Sequence, residues 1–163
     1  MKRILLLLSF CVSMNASYVL DPFLGFPIGH FEGGGHYYDD QGNYDEYPAF
    51  LDMAAFDWVS GTIRNAKEQR FEWFFTMTDY NKFDVDVVMY SHPQDEGTNY
   101  QGEGFCFEYE CHVEVDIGNG FVQEILYFYP EGIHKIGRMH FTTENKEHFI
   151  NWEEFLDTYV AKE

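Results

Sequence analysis

At roughly 100–200 residues per domain, 163 residues amount to one domain. Asp and Glu number 28 against 10 Lys and Arg, and the net charge of −18 excludes a nucleic-acid binder, which needs clustered bases to release counterions, and disfavours an anionic membrane surface. Because 45% of the chain is hydrophobic and 20% aromatic, it has enough apolar surface to offset chain entropy, which excludes a disordered protein.

Residues 1–16 read as a secretory signal: Lys2 and Arg3, an apolar run from Ile4 to Val12, then small residues at Ser13 and Ala16. The run is shorter than the roughly 20 residues a bilayer core needs, so an integral membrane protein is not expected. Cleavage leaves a single domain over 17–163, secreted or periplasmic, and removes two bases and no acid. Cys106 and Cys111 remain, separated by FEYE. A hairpin loop there sets them face to face, and an oxidising compartment then favours a disulfide. In the chain-entropy model a loop so short contributes about 2 kcal/mol.

Turn-forming segments punctuate the chain at 39–43, 78–82, 91–97, 116–120 and 130–132, between aromatic and β-branched runs that alternate with period two. This is an all-β pattern. The expected strands are Gly29–Tyr38, Tyr44–Met53, Phe56–Asn65, Glu68–Thr78, Phe83–Met89, Asn99–Cys106, Cys111–Ile117, Phe121–Tyr129 and Ile133–Thr142. Pro48 suits an edge or a bulge, and 48–59 also fits a helical period. At the end of the chain, Asn151 is a good N-cap with Glu154 three residues on, and Trp152, Phe155, Leu156, Tyr159 and Val160 form a helical stripe. The pattern predicts a C-terminal helix over 152–161.

Strands in this number, joined by short turns, suit an antiparallel up-and-down barrel of 8–10 strands, in which closure removes exposed edges. The glycine-spaced opening Gly29-x-Phe31-x-Gly33-x-Gly35 resembles the G-x-W-x-G-x-G start of calycin barrels, the lipocalin-like and nitrobindin-like proteins, with Phe31 in place of Trp. The resemblance implies that Phe31 closes the barrel floor and meets a late Arg, for which Arg138 is the candidate. It also implies a ligand inside the barrel. No cofactor is expected; nitrobindin-like proteins hold haem through a late His, and His134 and His140 are the candidates if haem is bound.

No nucleophile elbow, P-loop, H-E-x-x-H or dinucleotide fingerprint occurs, and no catalytic residue is assigned. DDQGNYDE at 39–46 lacks the order of a calcium loop. His30, Glu32 and His36 share a strand face, but the two histidines lie too far apart on a straight strand to hold one metal. The aromatic and Met residues carry the functional reading. Phe71, Trp73, Phe75, Met77, Phe83, Met89 and Tyr127 are expected to line an interior that binds a small apolar molecule. An extracellular or envelope interaction module with a filled core is the alternative, and a barrel-fold hydrolase or isomerase the second.

Overall fold

The computed structural model describes residues 19–20, 27–53, 58–63, 70–90, 96–129 and 132–160. The expected leader lies outside them. Eleven strands are present: β1 (Val19–Leu20), β2 (Pro27–Asp39), β3 (Tyr44–Met53), β4 (Trp58–Ile63), β5 (Arg70–Asp79), β6 (Lys82–Tyr90), β7 (Thr98–Phe107), β8 (Glu110–Asp116), β9 (Gly120–Tyr129), β10 (Gly132–Thr143) and β11 (Lys146–Val160). From β2 onward each strand pairs antiparallel with the next, and β11 pairs back onto β2. The sheet is therefore curled into a barrel-like form, compatible with a calycin-like barrel. The nine strands expected from alternation are all present, with ends displaced by at most two residues where the chain is described; the expected ends Phe56, Asn65 and Glu68 lie outside the described residues.

The expected C-terminal helix is not formed. Residues 146–160 make the long strand β11, which pairs with β10 on one side and β2 on the other. Both 3.6-residue and two-residue spacings can be read in NWEEFLDTYV. What favours the strand is that β2 and β10 would otherwise each leave a row of backbone groups without a partner. The helical alternative over 48–59 also fails where the chain is described, since 48–53 and 58–63 are strand.

Alternation sorts the side chains into two faces. Inward are Phe31, Tyr47, Ala49, Leu51, Met53, Trp73, Phe75, Phe83, Val85, Val87, Val113, Val115, Leu126, Ile133 and Leu156, which form one core. Phe75 meets Phe83 edge to face at 5.1 Å between ring centres, a favoured aromatic geometry. Outward lie the histidines and most carboxylates. Cys106 and Cys111 are directly opposed in the β7–β8 ladder and form a disulfide, with Cα atoms 4.1 Å apart. The hairpin is tighter than the FEYE reading: Phe107 still pairs with Glu110, and only Glu108 and Tyr109 turn, with Glu108 at φ 54°. No helix long and apolar enough to cross a membrane occurs among the described residues.

Candidate functional site

Three charged side chains among the described residues point into the apolar interior. Glu124 on β9, Lys135 on β10 and Glu154 on β11 are 6%, 6% and 2% exposed. Pairing brings them together. Lys135 is directly opposite Glu154, and Glu124 lies one inward position along β9 from Lys135's partner Leu126. The Lys135 ammonium is 3.0 Å from Glu154 Oε2 and 3.3 Å from Glu124 Oε1. Each carboxylate also accepts a hydrogen bond from an aromatic side chain: Tyr47 OH donates to Glu154 Oε1 at 3.0 Å, and Trp152 Nε1 donates to Glu124 Oε1 at 3.1 Å. The result is a continuous chain, Tyr47–Glu154–Lys135–Glu124–Trp152, drawn from four strands.

Two glycines make the space for this chain. Gly35 sits in β2 between Tyr47 and Glu154, in register with both. A Cβ there would lie 2.7 Å from Glu154 Cγ and 3.0 Å from the Tyr47 ring. Gly137 sits in β10 between Trp152 and Glu124, in register with both, and a Cβ there would fall inside the Trp152 indole. The missing side chains let donor and acceptor meet across an intervening strand.

Burying three charges is expensive, several kcal/mol per ion, unless they are paired and hydrogen-bonded. Burial raises the Glu124 pKa, opposed by the Lys135 ammonium, with Glu154 pushing it further up. For Lys135, burial pushes the pKa down, but the two carboxylates outweigh it and the net shift is upward, so the ammonium is retained. Tyr47 is raised by burial and by the Glu154 charge and stays a phenol donor. The arrangement holds a carboxyl of raised proton affinity in a dry interior. Glu124 also lines a cleft of about 540 Å³ that spans β5 to β9, together with Phe83, Gly104 and Val113 and with the outer-face residues Asp84, Glu103, Phe105 and Glu114.

The residues expected to line the interior are only partly gathered there. Phe71, Trp73, Phe75 and Phe83 belong to the core or pack against it, and Met89 is directly opposite Phe71. The Met77 side chain lies outside the described residues. Tyr127 is on the opposite face. Leu126 and Phe128 take the inward positions of β9, while the Tyr127 ring lies near Tyr129 and His134 outside. Of the glycine-spaced opening, Phe31 is fully buried, and Gly33 and Gly35 face β11; Gly29 is opposite Met53. Arg138 does not meet Phe31. It projects outward from β10 and lies over the Phe149 ring, 5.8 Å from its centre.

His134 and His140, expected as haem candidates, both project outward. His134 Nε2 is 2.7 Å from Glu153 Oε1, and its ring stacks on Phe155; His140 Nε2 is 3.9 Å from Glu147 and its ring is near Phe121. His30 is hydrogen-bonded to Glu32 at 2.8 Å and to Asp52 at 2.9 Å, whereas His36 is 3.7 Å from Glu153, so the two do not converge on one ion. No group of three His, Cys, Asp or Glu suited to a metal ion occurs among the described residues.

The ionic chain was readable only in part. In FVQEILYFY both phases are apolar, and placing Glu124 in the same phase as Val122, Leu126 and Phe128 is the one signal that a charge occupies a core position. Glu154 instead fitted a helix-capping pattern. Compared with known proteins, the chain matches no family model and no curated protein sequence.

Proposed function

We propose that this is an exported, lipocalin-like protein of the calycin type that binds a small molecule inside its curled sheet. The ligand is an uncharged or weakly polar molecule with an apolar body. The observation that carries this reading is the buried Glu124–Lys135–Glu154 chain in an otherwise apolar interior. Such a chain is a weak source of stability, and polar groups fixed within apolar walls are what orient a bound small molecule. Glu124 borders the cleft, and its carboxyl is the group to hydrogen-bond a ligand's polar end. Trp73, Phe75 and Phe71 supply flat apolar area for the body. The disulfide agrees with an oxidising, extracytoplasmic compartment.

Native mass spectrometry of protein from its own host tests this directly, with a co-purifying small molecule as the expected result. Titration with retinoid-like, sterol-like and haem probes should give saturable fluorescence changes that Trp73→Ala and Glu124→Gln weaken. Absence of a co-purifying molecule together with no saturable probe defeats the proposal. A second reading then takes its place, an extracellular interaction module with a filled core. It is favoured by the close packing around Phe31, Met53, Phe83 and Leu156, each at most 1% exposed.

A further inference from the structure

The outer face at the disulfide hairpin carries large aromatic side chains in the open. Phe107 is 62% exposed, Tyr109 74% and Phe105 44%. They are interleaved with carboxylates in the order Glu103, Phe105, Phe107, Glu108, Tyr109, Glu110. Residues 98–116 hold five carboxylates and neither Lys nor Arg. Across the ladder the charge pattern continues: Asp84, Glu103 and Glu114 lie directly opposite one another on β6, β7 and β8, all exposed. Like charges in direct cross-strand register are destabilising. Gln123 donates to Glu114 at 2.7 Å and Gln101 donates to the neighbouring Asp86 at 3.1 Å, contacts that bring no counter-charge; the base on this face, Lys82, stands opposite Phe105 and is outnumbered by the carboxylates around it.

The hairpin is held firmly. Its disulfide lies on the inner side, Cys106 N–H donates to Asn81 O at 2.9 Å, and Phe128 N–H donates to Tyr109 O at 2.8 Å. The β5–β6 turn on one side and β9 on the other therefore tie down the aromatic positions, which lowers the ordering cost of binding. Exposed aromatics clustered on a rigid element are the usual anchors of a protein interface.

We propose that the outer face of the β7–β8 hairpin docks a basic polypeptide segment, with Lys or Arg side chains over Phe107 and Tyr109 and their charges against Glu103 and Glu108. Aromatic faces attract ammonium and guanidinium groups, and the carboxylates supply the complementary field. The proposal concerns the outside of the sheet and rests on Phe107, Tyr109 and Glu108, which do not line the cleft that Glu124 borders, although Glu103 does.

Fluorescence anisotropy of a short labelled peptide of alternating Lys and Arg, against a Gly–Ser peptide of equal length, tests it at about 150 mM salt, where the field is screened beyond about 8 Å. The Lys–Arg peptide should bind saturably and the Gly–Ser peptide should not. The doubly substituted Phe107→Ser, Tyr109→Ser protein keeps its charge and should bind about five-fold more weakly or worse, the loss of two exposed cation–π contacts. Glu103→Gln with Glu108→Gln should weaken binding comparably. Glu144→Gln with Glu147→Gln, at the opposite end of the sheet, should leave it unchanged. The proposal is overturned by an affinity weaker than about 1 mM, by full binding in the Phe107/Tyr109 variant, or by equal loss in the Glu144/Glu147 variant. Retention on zwitterionic vesicles that the Phe107/Tyr109 variant loses would assign the aromatics to a membrane surface and also overturn it.

Discussion

Replacing Lys135 by Met tests whether the interior charges form one sealed chain. The substitution keeps the unbranched stem as far as Cε and removes the ammonium that lies 3.0 Å from Glu154 and 3.3 Å from Glu124. Both carboxylates keep an aromatic donor but lose the buried ammonium that pairs with them. Breaking a buried ion pair from one side typically costs about 3–5 kcal/mol, a large part of the roughly 5–15 kcal/mol that holds a domain folded. The deficit should depend on pH. Glu124 already binds its proton more tightly folded than unfolded, through burial, and loses the ammonium that opposed this. Its contribution to stability is fully present below the ordinary carboxyl range and is lost as the pH rises through the raised value. The variant should therefore be weakest near neutrality and recover on acidification. Urea titrations run from the ordinary carboxyl range, about pH 4, up to about pH 9 give the curve. Adding Glu124→Gln and Glu154→Gln to Lys135→Met keeps acceptors for Trp152 and Tyr47 while removing all charge, and should restore most of the loss. A deficit below about 1 kcal/mol, flat with pH, would place the ammonium in contact with water and refute the argument.

Three other outcomes follow from the same geometry. Tyr47→Phe removes a hydrogen bond to a buried carboxylate and should cost about 1.5–3 kcal/mol in urea titration, since bonds to charged groups are the stronger ones. Reducing or replacing the Cys106–Cys111 pair should lower stability by about 2 kcal/mol in the chain-entropy model while leaving far-ultraviolet circular dichroism unchanged. His30 is held protonated by Glu32 and then Asp52, against the effect of burial, so its pKa is raised. The stability it confers is fully present below its ordinary value and is lost as the pH rises through the raised one; its NMR titration should move down in Asp52→Asn.

The strands were legible because their causes are local. Period-two runs such as Phe83–Met89, with Asp84 and Asp86 on the wet face, and turn residues such as Asp116–Gly120 need no distant partner to be read. The Cys106–Cys111 pairing is of the same kind, since a hairpin brings its own arms into register. The last strand was not legible. Residues 146–160 satisfy two periods at once, and only the facing edges of β2 and β10, about a hundred residues apart in the chain, decide between them by offering hydrogen bonds on both sides. The phase of β9 was equally open. Treating Glu124 as a surface charge turns Tyr127 inward, whereas the structure turns Glu124 inward because Lys135 and Trp152 are there to receive it, with Gly137 leaving the room. A buried charge is tolerable only where its partners are, and those partners come from other strands. The candidate site was therefore decided by the tertiary structure, on a framework that the alternation had already drawn.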